Sequence, residues 1–360
     1  MKFKEIFSDP IFILPKEIPK KSEYAKYIQK IFNQYIELLS QVTDLKDING
    51  IAGSITIEKT MERQMEFLEG ISQCIDLYYS GKPSEAYDTL SKTISTRISK
   101  NKSMIRIGKY ELGESFYRGR IGKDNFLYNK NEMFHIPFEL RGQVATQRYS
   151  IPGFPSLYLG KTIYVCWEEL KRPDLNMFQV SRLINTQPIE YIDLTPPDLT
   201  AGFYNTKAFG YMMVWPLIAA CSVKVQNPAD HFKPEYIVPQ LLLQWVRNTN
   251  DVDGIKYNST NISGKKTSLT GQYHNFVFPV KERGVSGLCN ELLNSFQISD
   301  PISWQSIQVS TGGDYRIPNI KSGYIDEKLP DLRIYSNRRT NYSQSVLGKM
   351  EYFLDENQES

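Results

Sequence analysis

The amino-acid sequence predicts an α+β fold, in which a helical N-terminal part precedes a region of short strands and few helices. Apolar residues recur at three- and four-residue steps through roughly the first hundred positions, as they do in amphipathic helices. Farther along, short runs rich in β-branched and aromatic residues are separated by Pro, Gly and Asn. Strands and helices do not alternate regularly there, which argues against a doubly wound parallel sheet.

Amphipathic helices are predicted in the N-terminal part. The first covers residues 22–41, and the second covers residues 61–78 and ends before Gly81 and Pro83. A third helix begins with Ser84 as its N-cap. These segments contain no cluster of titratable residues, so they are interpreted as a packing or partner-binding module.

A short basic segment at residues 99–110 leads into the mixed region. The runs at residues 156–159, 236–238 and 276–280 predict strands, and the stretches at 162–171 and 239–247 predict helices.

The C-terminal part divides into two stretches of different composition. Residues 281–340 are rich in Gly, Asn, Ser and Pro and are expected to wrap the surface, whereas residues 342–356 predict a terminal helix.

The near balance of charge argues against a nucleic-acid-binding protein. The formal net charge is +3, from 43 basic and 40 acidic residues. Proteins that bind a nucleic-acid duplex neutralise its phosphates with a strongly basic face.

The sequence also gives no support to a metal site or a membrane span. Its four cysteines are far apart and form no CxxC pair, which indicates reduced thiols. The N-terminus has no apolar leader, and the most apolar stretch, residues 211–223, is too short to span a bilayer and contains Pro216. We therefore expect a soluble, cytoplasmic protein that binds neither metal nor membrane.

Common catalytic motifs do not account for the chain. Residues 264–267, GKKT, match the end of a phosphate-binding loop, but the glycine that such a loop needs at position 259 is Ser259. The three histidines, His135, His231 and His274, are too few and too scattered to favour a histidine-based site.

Five segments in a particular order carry the most information about function. They are FYRGR at 116–120, RYSIPGFPSLYLG at 148–160, CWEEL at 166–170, DGIKYNS at 253–259 and HNFVFP at 274–279.

This order resembles the RES-domain family, which is named for its Arg, Glu and Ser. The family has a Tyr-Arg pair, an Arg-aromatic-x-x-Pro-Gly turn that leads into Leu-Tyr, a Glu eleven residues after that Tyr, and a Gly-Ile-x-Tyr-x-Ser strand. Counting from Tyr158 selects Glu169 rather than the adjacent Glu168. The resemblance covers residues 112–285, and it departs from the family at Tyr149-Ser150, where Trp-Asn is usual, and at Cys166, where Ala is usual.

The resemblance implies a mixed-sheet fold like that of the ADP-ribosyltransferase toxins, with NAD⁺ as substrate. Known members are toxins that deplete NAD⁺ by hydrolysis or phosphorolysis, or that ADP-ribosylate a protein. The sequence does not choose among these reactions. A catalytically idle module that binds ADP-ribose or a protein is the alternative from a different class.

Carried over by position, the resemblance implies the residues of the site. Glu169, Arg118 and Ser259 are expected to be catalytic, and Arg118, Arg148, Tyr158, Tyr117 and Ser259 are expected to contact NAD⁺.

These residue types suit cleavage of an N-glycosidic bond. The reaction builds positive charge on the ribose, and a carboxylate such as that of Glu169 stabilises it. Nicotinamide leaves as a neutral molecule, so no acid is needed. Arg118 and Arg148 suit a diphosphate because a guanidinium binds two oxygens at once, and the ring of Tyr158 suits stacking on nicotinamide.

The chain is accordingly divided into a helical region at residues 1–105, a RES-like catalytic domain at 106–285, and a C-terminal extension at 286–360 that packs on it. An antitoxin or another inhibitory protein is the partner that the resemblance implies. The N-terminal helices have three open roles: restraining the enzyme, binding that partner, or building a homo-oligomer.

Overall fold

The computed structural model describes residues 1–20, 22–44, 57–96, 105–123, 126–197, 204–261, 273–312, 332–335, 338–340 and 342–356. Within these ranges the fold is α+β, as the sequence predicts. The phosphate-loop-like residues 264–267 and the first half of the basic segment at 99–110 lie outside the described residues. The boundaries proposed at 105/106 and 285/286 stay predictions.

Helices occur at both ends and in the middle of the described chain. They are α1 (Tyr24–Ser40), α2 (Ile57–Tyr79), α3 (Pro83–Ser95), α4 (Ile163–Glu169), α5 (Tyr204–Cys221), α6 (Ile237–Asn248), α7 (Asn290–Ser295), α8 (Trp304–Ser310) and α9 (Val346–Glu356). The three N-terminal helices and the terminal helix of the sequence analysis are therefore confirmed. The predicted N-cap at Ser84 is wrong, because Pro83 already occupies the first helical turn, where its missing N–H has no cost.

A large mixed sheet forms the centre of the molecule. Its strands are β1 (Ile107–Tyr110), β2 (Ser115–Ile121), β3 (Ser156–Gly160), β4 (Phe178–Asn185), β5 (Ile189–Asp193), β6 (Gly254–Asn258), β7 (His274–Pro279), β8 (Phe296–Ile298) and β9 (Ile302–Ser303). They lie in the order β1-β5-β6-β7-β3-β2-β4-β8, and β9 pairs with β4. The pair β5–β6 is parallel, and the other pairs are antiparallel.

The sheet divides at its centre, between β2 and β3. These two strands pair at one position, where Tyr117 lies opposite Gly160. Beyond it, β2 continues along β4 and β3 continues along β7. The segments 118–121 and 156–159 consequently diverge and leave a gap at one end of the sheet.

Helices cover one face of the sheet in two groups. Near β2 and β4, α4 and α9 pack on a core that includes Tyr117, Phe178 and Val180. Near β5, β6 and β7, α5 and α6 contribute to a core that contains Ile255 and Val277 and continues into α1, α2 and α3. The opposite face is a separate aromatic layer, with Phe116, Phe134, Phe138, Phe276, Phe278 and Phe296.

Helix α5 is the main element that the sequence analysis did not identify. From Ala208 to Cys221 its side chains are apolar on all sides, and a helix of this kind lacks the one-sided periodicity that reveals an amphipathic helix. Trp215 on α5 stacks on Tyr35 of α1 at 4.5 Å between ring centroids, and the Tyr35 hydroxyl donates to the Met212 carbonyl at 2.6 Å. No helix among the described residues is long and apolar enough to cross a membrane.

Two further predictions differ from the structure. The strand expected at residues 236–238 is wrong, because a 3-10 turn at Pro234–Tyr236 leads directly into α6. Three apolar residues in a row do not distinguish a strand from the start of a buried helix. In the stretch 281–340, β8 and β9 pair with β4 and so extend the sheet, while β10 (Leu332–Tyr335) and β11 (Arg338–Thr340) form a separate antiparallel pair.

Candidate active site

A cleft of about 710 Å³ opens where β2 and β3 diverge. Helix α4 borders it on one side, and the segments that follow α5 and β6 border it on the other. This volume is within the range of about 300–1,000 Å³ that is typical of small-molecule sites.

Helix α4 is held close to the sheet by a glycine. The Thr162 side chain caps the helix by accepting from the Val165 amide at 3.2 Å. A Cβ atom on Gly160 would lie 2.5 Å from the Val165 side chain and 2.6 Å from the Cys166 sulfur. The absence of a side chain at Gly160 therefore lets α4 approach β3 closely, which places the end of the helix at the cleft.

Glu169, the last residue of α4, presents its carboxylate to the cleft. Its two oxygens accept hydrogen bonds from two asparagines, Asn275 Nδ2 at 2.6 Å and Asn261 Nδ2 at 2.9 Å. Asn275 lies on β7, and Asn261 lies in the turn after β6. Two fixed amide donors hold the direction of a side chain that is itself exposed.

The adjacent Glu168 has a different environment. It is buried, and Arg172 binds both of its oxygens, with the closest contact at 2.8 Å from Nη2. Lys171 and Arg172 have positive φ angles of 61° and 57°, which end the helix and turn Arg172 back toward Glu168. The neighbouring glutamates thus separate into an ion-paired residue and a cleft-facing one.

Arg118 lies in the gap between the diverging strands. Its Nη1 donates to the Tyr158 carbonyl at 2.8 Å, so it links β2 to β3 beyond their last backbone pair. Its buried Nε has no hydrogen-bond partner among the described residues. Burial and the nearby Arg120 lower the pKa of Arg118 to about 10, so the guanidinium stays charged at neutral pH.

Arg148 faces the cleft from the opposite side. It is 9% exposed, and it donates to the Cys221 carbonyl at 3.0 Å and to Thr260 Oγ1 at 3.2 Å. Its guanidinium carbon lies 5.2 Å from the centroid of the Tyr236 ring. Neither the half-buried Arg118 nor the buried Arg148 forms an ion pair with a carboxylate in the described part of the chain.

Three lysines add positive charge to the same cleft. Lys171, Lys224 and Lys233 belong to its lining, and Lys224 is paired with Glu17 at 2.6 Å. Glu169 is the one acidic residue among the described residues that line the cleft, against two arginines and three lysines. The cleft is therefore suited to an anionic ligand.

Tyrosines form part of the cleft wall. Tyr158 lines the cleft, and its hydroxyl donates to the Tyr149 carbonyl. Burial raises the pKa of Tyr158. Tyr257 also lines the cleft, and its ring centroid lies 4.5 Å from that of Tyr149. These contacts fix the Tyr158 ring beside the gap.

Cys166 lines the cleft but is not a nucleophile at neutral pH. Its thiol donates to the Tyr117 carbonyl at 3.2 Å, and burial raises the pKa of the thiol to about 12. A neutral thiol is a poor nucleophile.

Tyr117 and Ser259, two residues that the sequence analysis assigned to the site, lie outside the lining of the cleft. Tyr117 is 2% exposed, and its hydroxyl donates to Asp355 Oδ1 on α9 at 2.9 Å. Ser259 is also 2% exposed, and its Oγ accepts a hydrogen bond from the backbone N–H of Asn261 at 3.2 Å. Ser259 thus acts on the cleft through Asn261, which binds Glu169.

The structure brings Arg118, Arg148, Tyr158 and Glu169 together around one cleft. The asparagines that bind Glu169 were not identified from the sequence. Asn275 gave one usable signal, because asparagine is depleted in strands and stands here beside the apolar run of β7. Asn261 gave none, because its contact depends on a turn that only the folded chain defines.

The described residues contain no group of three or more His, Cys, Asp or Glu side chains arranged to hold a metal ion. His274 is buried, and burial together with Lys256 lowers its pKa to about 3, so its ring is neutral. Among the described lining residues, the polar groups are carboxylate, amide, hydroxyl, thiol, ammonium and guanidinium groups.

Comparisons with known proteins place the chain next to one curated relative. No protein-family model matches the sequence, and no solved structure matches it. The relative is a protein of Bacillus subtilis (strain 168) named "Putative toxin YopC", which is 33% identical over 372 residues. The alignment covers 96% of this chain and 80% of the relative. At that identity and coverage, the chain belongs to the same family as YopC.

Proposed function

We propose that the chain cleaves the N-glycosidic bond between nicotinamide and ribose in NAD⁺, and that it acts as a toxin by depleting NAD⁺. One observation carries the proposal. Among the described residues, a single carboxylate, held by two amides, faces a cleft whose other charged side chains are cationic.

The carboxylate suits the reacting end of the substrate. Departure of nicotinamide leaves positive charge on the ribose, and a fixed negative charge lowers the energy of that state. Asn261 and Asn275 keep Glu169 oriented before the charge develops. Because nicotinamide leaves as a neutral molecule, the absence of a histidine from the described lining residues is no obstacle.

The cations suit the diphosphate of the same substrate. The half-buried Arg118 and the buried Arg148 have no carboxylate partner in the described chain, and a guanidinium can bind two phosphate oxygens. The bound diphosphate would supply the partner that the Arg118 Nε lacks. Tyr158 lies next to both Arg118 and the gap, where a flat nicotinamide ring can stack.

The toxin part of the proposal is supported by the name of the Bacillus subtilis relative. Membership in the RES-domain family and an ADP-ribosyltransferase-like arrangement are parts of the same proposal. They are supported by the motif order of the sequence and by the divided mixed sheet, with an arginine at the gap and a glutamate on the adjacent helix.

The test is the fate of NAD⁺ incubated with the purified chain, with and without inorganic phosphate. Glu169→Gln is expected to reduce nicotinamide release by about 10²–10³-fold, because it removes the charge that stabilises the ribose cation. Glu190→Gln, the same change at an exposed position on β5, is the matched control and should retain full activity.

Products separated by chromatography and identified by mass distinguish the reactions. Free ADP-ribose indicates hydrolysis, a phosphorylated ADP-ribose formed only with phosphate indicates phosphorolysis, and a labelled protein indicates ADP-ribosylation. NAD⁺ that stays intact while the wild-type chain still binds ADP-ribose would contradict the enzyme proposal and support a binding module.

Growth of a bacterial host tests the toxin proposal separately. The wild-type chain is expected to slow growth and lower cellular NAD⁺, and Glu169→Gln should do neither at the same protein level. Equal inhibition of growth by both forms would show that toxicity does not depend on the cleft.

A further inference from the structure

Helix α9 carries two carboxylates one helical turn apart, Glu351 and Asp355. Residues four positions apart lie on the same side of a helix, so both point toward the sheet. Glu351 is 2% exposed and Asp355 is 28% exposed at its side chain. Each of the two carboxylates accepts a hydrogen bond from a helix or strand that contributes a residue to the cleft.

Glu351 binds the start of the helix that ends in Glu169. Its Oε2 accepts from the Ile163 amide, the first residue of α4, at 3.1 Å. The Tyr342 hydroxyl donates to the same oxygen at 2.7 Å. A buried carboxylate is costly unless it is hydrogen-bonded, so these donors fix the position of Glu351 relative to α4.

Asp355 binds the strand that carries Arg118. Its Oδ1 accepts from the Tyr117 hydroxyl at 2.9 Å and lies 3.1 Å from Arg182 Nε on β4. Tyr117 is the last residue at which β2 pairs with β3, and Arg118 follows it in the gap. Asp355 therefore holds β2 where the sheet divides.

Apolar contacts reinforce the two polar ones. Leu347, Met350 and Leu354 on α9 share a core with Ile163 and Cys166 on α4 and with Tyr117 on β2. One face of α9 thus contacts both the α4 helix and the β2 strand.

We propose that α9 braces the cleft, with Glu351 and Asp355 as positioning residues that set the separation between Glu169 and Arg118. The expected effect of these residues on turnover rests on the proposed function. Their expected effect on the stability of α4 does not, because it can be measured without any substrate. A purely structural role for α9 makes a different prediction, in which variants lose stability without a selective change at α4 or in turnover of the folded protein.

The first experiment is a double-variant cycle on the full chain. Tyr117→Phe and Asp355→Ala remove the two sides of one hydrogen bond, singly and together. Each is expected to lower kcat for nicotinamide release by about 10–100-fold, because a displacement of roughly 1 Å in a site has effects of this size. The double variant should be no worse than the poorer single variant, since both remove the same contact.

The same helix provides a matched control cycle. Tyr352 donates to Glu356 on the solvent side of α9, so Tyr352→Phe and Glu356→Ala make equivalent chemical changes away from the cleft. These variants should leave kcat within about twofold of wild type, as surface substitutions usually have small effects. At Glu351, Gln retains an acceptor for the Ile163 amide and should preserve kcat, whereas Ala should not.

Hydrogen–deuterium exchange tests the brace without NAD⁺. Amides of α4 are expected to exchange at least several-fold faster in Glu351→Ala, whereas amides of α1 should exchange as in wild type. If wild type cleaves no NAD⁺, the proposed function fails, and this exchange result still decides the brace. Unchanged exchange at α4 would overturn it, and so would uniform acceleration along the whole chain.

Discussion

Glu169 and Glu168 are adjacent in the chain, yet their partners give them different chemistry. Glu168 is bound on both oxygens by Arg172, which compensates its charge within the protein. Glu169 is bound by two neutral amides, which orient it but leave its negative charge uncompensated. A carboxylate of the second kind can stabilise a cation that forms beside it.

Replacement of Asn275 by Asp tests how far Glu169 depends on its donors. Asp has the same shape but cannot donate, and it adds a like charge where a donor now lies 2.6 Å from Glu169. Nicotinamide release by Asn275→Asp is expected to fall by about 10²-fold or more, as when one donor is removed from a preorganised site. Asn294→Asp makes the same change at an exposed position and should keep wild-type kinetics. Equal activity of the two variants would contradict the role of Asn275.

The buried His274 makes stability depend on pH. Burial and Lys256 lower its pKa to about 3, below the ordinary value of 6.5. As the pH falls from 6.5 toward 3, the unfolded chain binds a proton at this residue and the folded chain does not. The contribution of His274 to stability is therefore present above pH 6.5 and is lost as the pH falls toward 3.

His274→Asn should flatten the dependence of the unfolding free energy on pH in that window, as measured by denaturant titration at several pH values. His231→Asn, at an exposed position, provides the comparison and should behave as wild type. If the free energy of unfolding depends on pH in both variants as it does in wild type, the pH effect comes from other titratable groups.

At the scale of residues, the sequence was more informative about which side chains line the cleft than about which residues hydrogen-bond to them. Arg118, Arg148, Tyr158 and Glu169 were named from the resemblance to the RES-domain family, and they line one cleft. Asn261 could not be named, because its contact with Glu169 requires the Ser259 turn and the end of α4 to meet in space. The spacing of residues along the chain does not indicate a tertiary contact of this kind.

Among the elements, α4 depends most on close packing with the sheet. A Cβ atom at Gly160 would overlap the side chains of Val165 and Cys166, so α4 would have to move away from β3. Gly160→Ala is expected to lower the free energy of unfolding by about 1–3 kcal/mol, as overpacking usually does. It should also reduce nicotinamide release in the folded protein, because the shift displaces Glu169.

Gly142→Ala is the matched change, since a Cβ atom there meets nothing within 4 Å. Thermal unfolding and turnover below the transition would be measured for both variants. Loss of stability in Gly160→Ala with unchanged turnover would indicate that α4 adjusts without moving Glu169.

The long helices with one apolar face were predictable from the sequence, whereas the long helix without one was not. Helices α1, α2 and α3 have a one-sided apolar pattern and were predicted within a few residues. Helix α5 is apolar on all sides because other helices and the sheet surround it. Its structure is set by burial, which a periodic pattern does not reveal.

At the scale of the molecule, the N-terminal helices and part of the sheet share one core. Buried residues from α1, α2, α3, α5 and α6 are continuous with Ile255 on β6 and Val277 on β7. The sequence predicted the helical module but not this continuity, because tertiary contacts between distant segments leave no local pattern. The helices and the sheet should therefore lose structure together.

Leu39→Ala tests this coupling. Leu39 on α1 is fully buried, and its truncation should lower the free energy of unfolding by about 2–5 kcal/mol. If the core is shared, hydrogen exchange should accelerate in β6 and β7 as well as in α1. Faster exchange confined to the N-terminal helices would show that the two parts unfold independently, and Val309→Ala, at an exposed position, should change neither.

The contact between α9 and α4 also has a consequence during protein synthesis. Glu351 follows the Ile163 amide that it binds by 188 residues. At 5–20 residues per second, a ribosome needs roughly 10–40 s to add that stretch. A nascent chain that has emerged only as far as Glu169 lacks both carboxylates of the brace, so the brace forms only after α9 has been translated. On the proposed function, chains cut short before α9 would deplete the NAD⁺ of the producing cell more slowly than the full chain does.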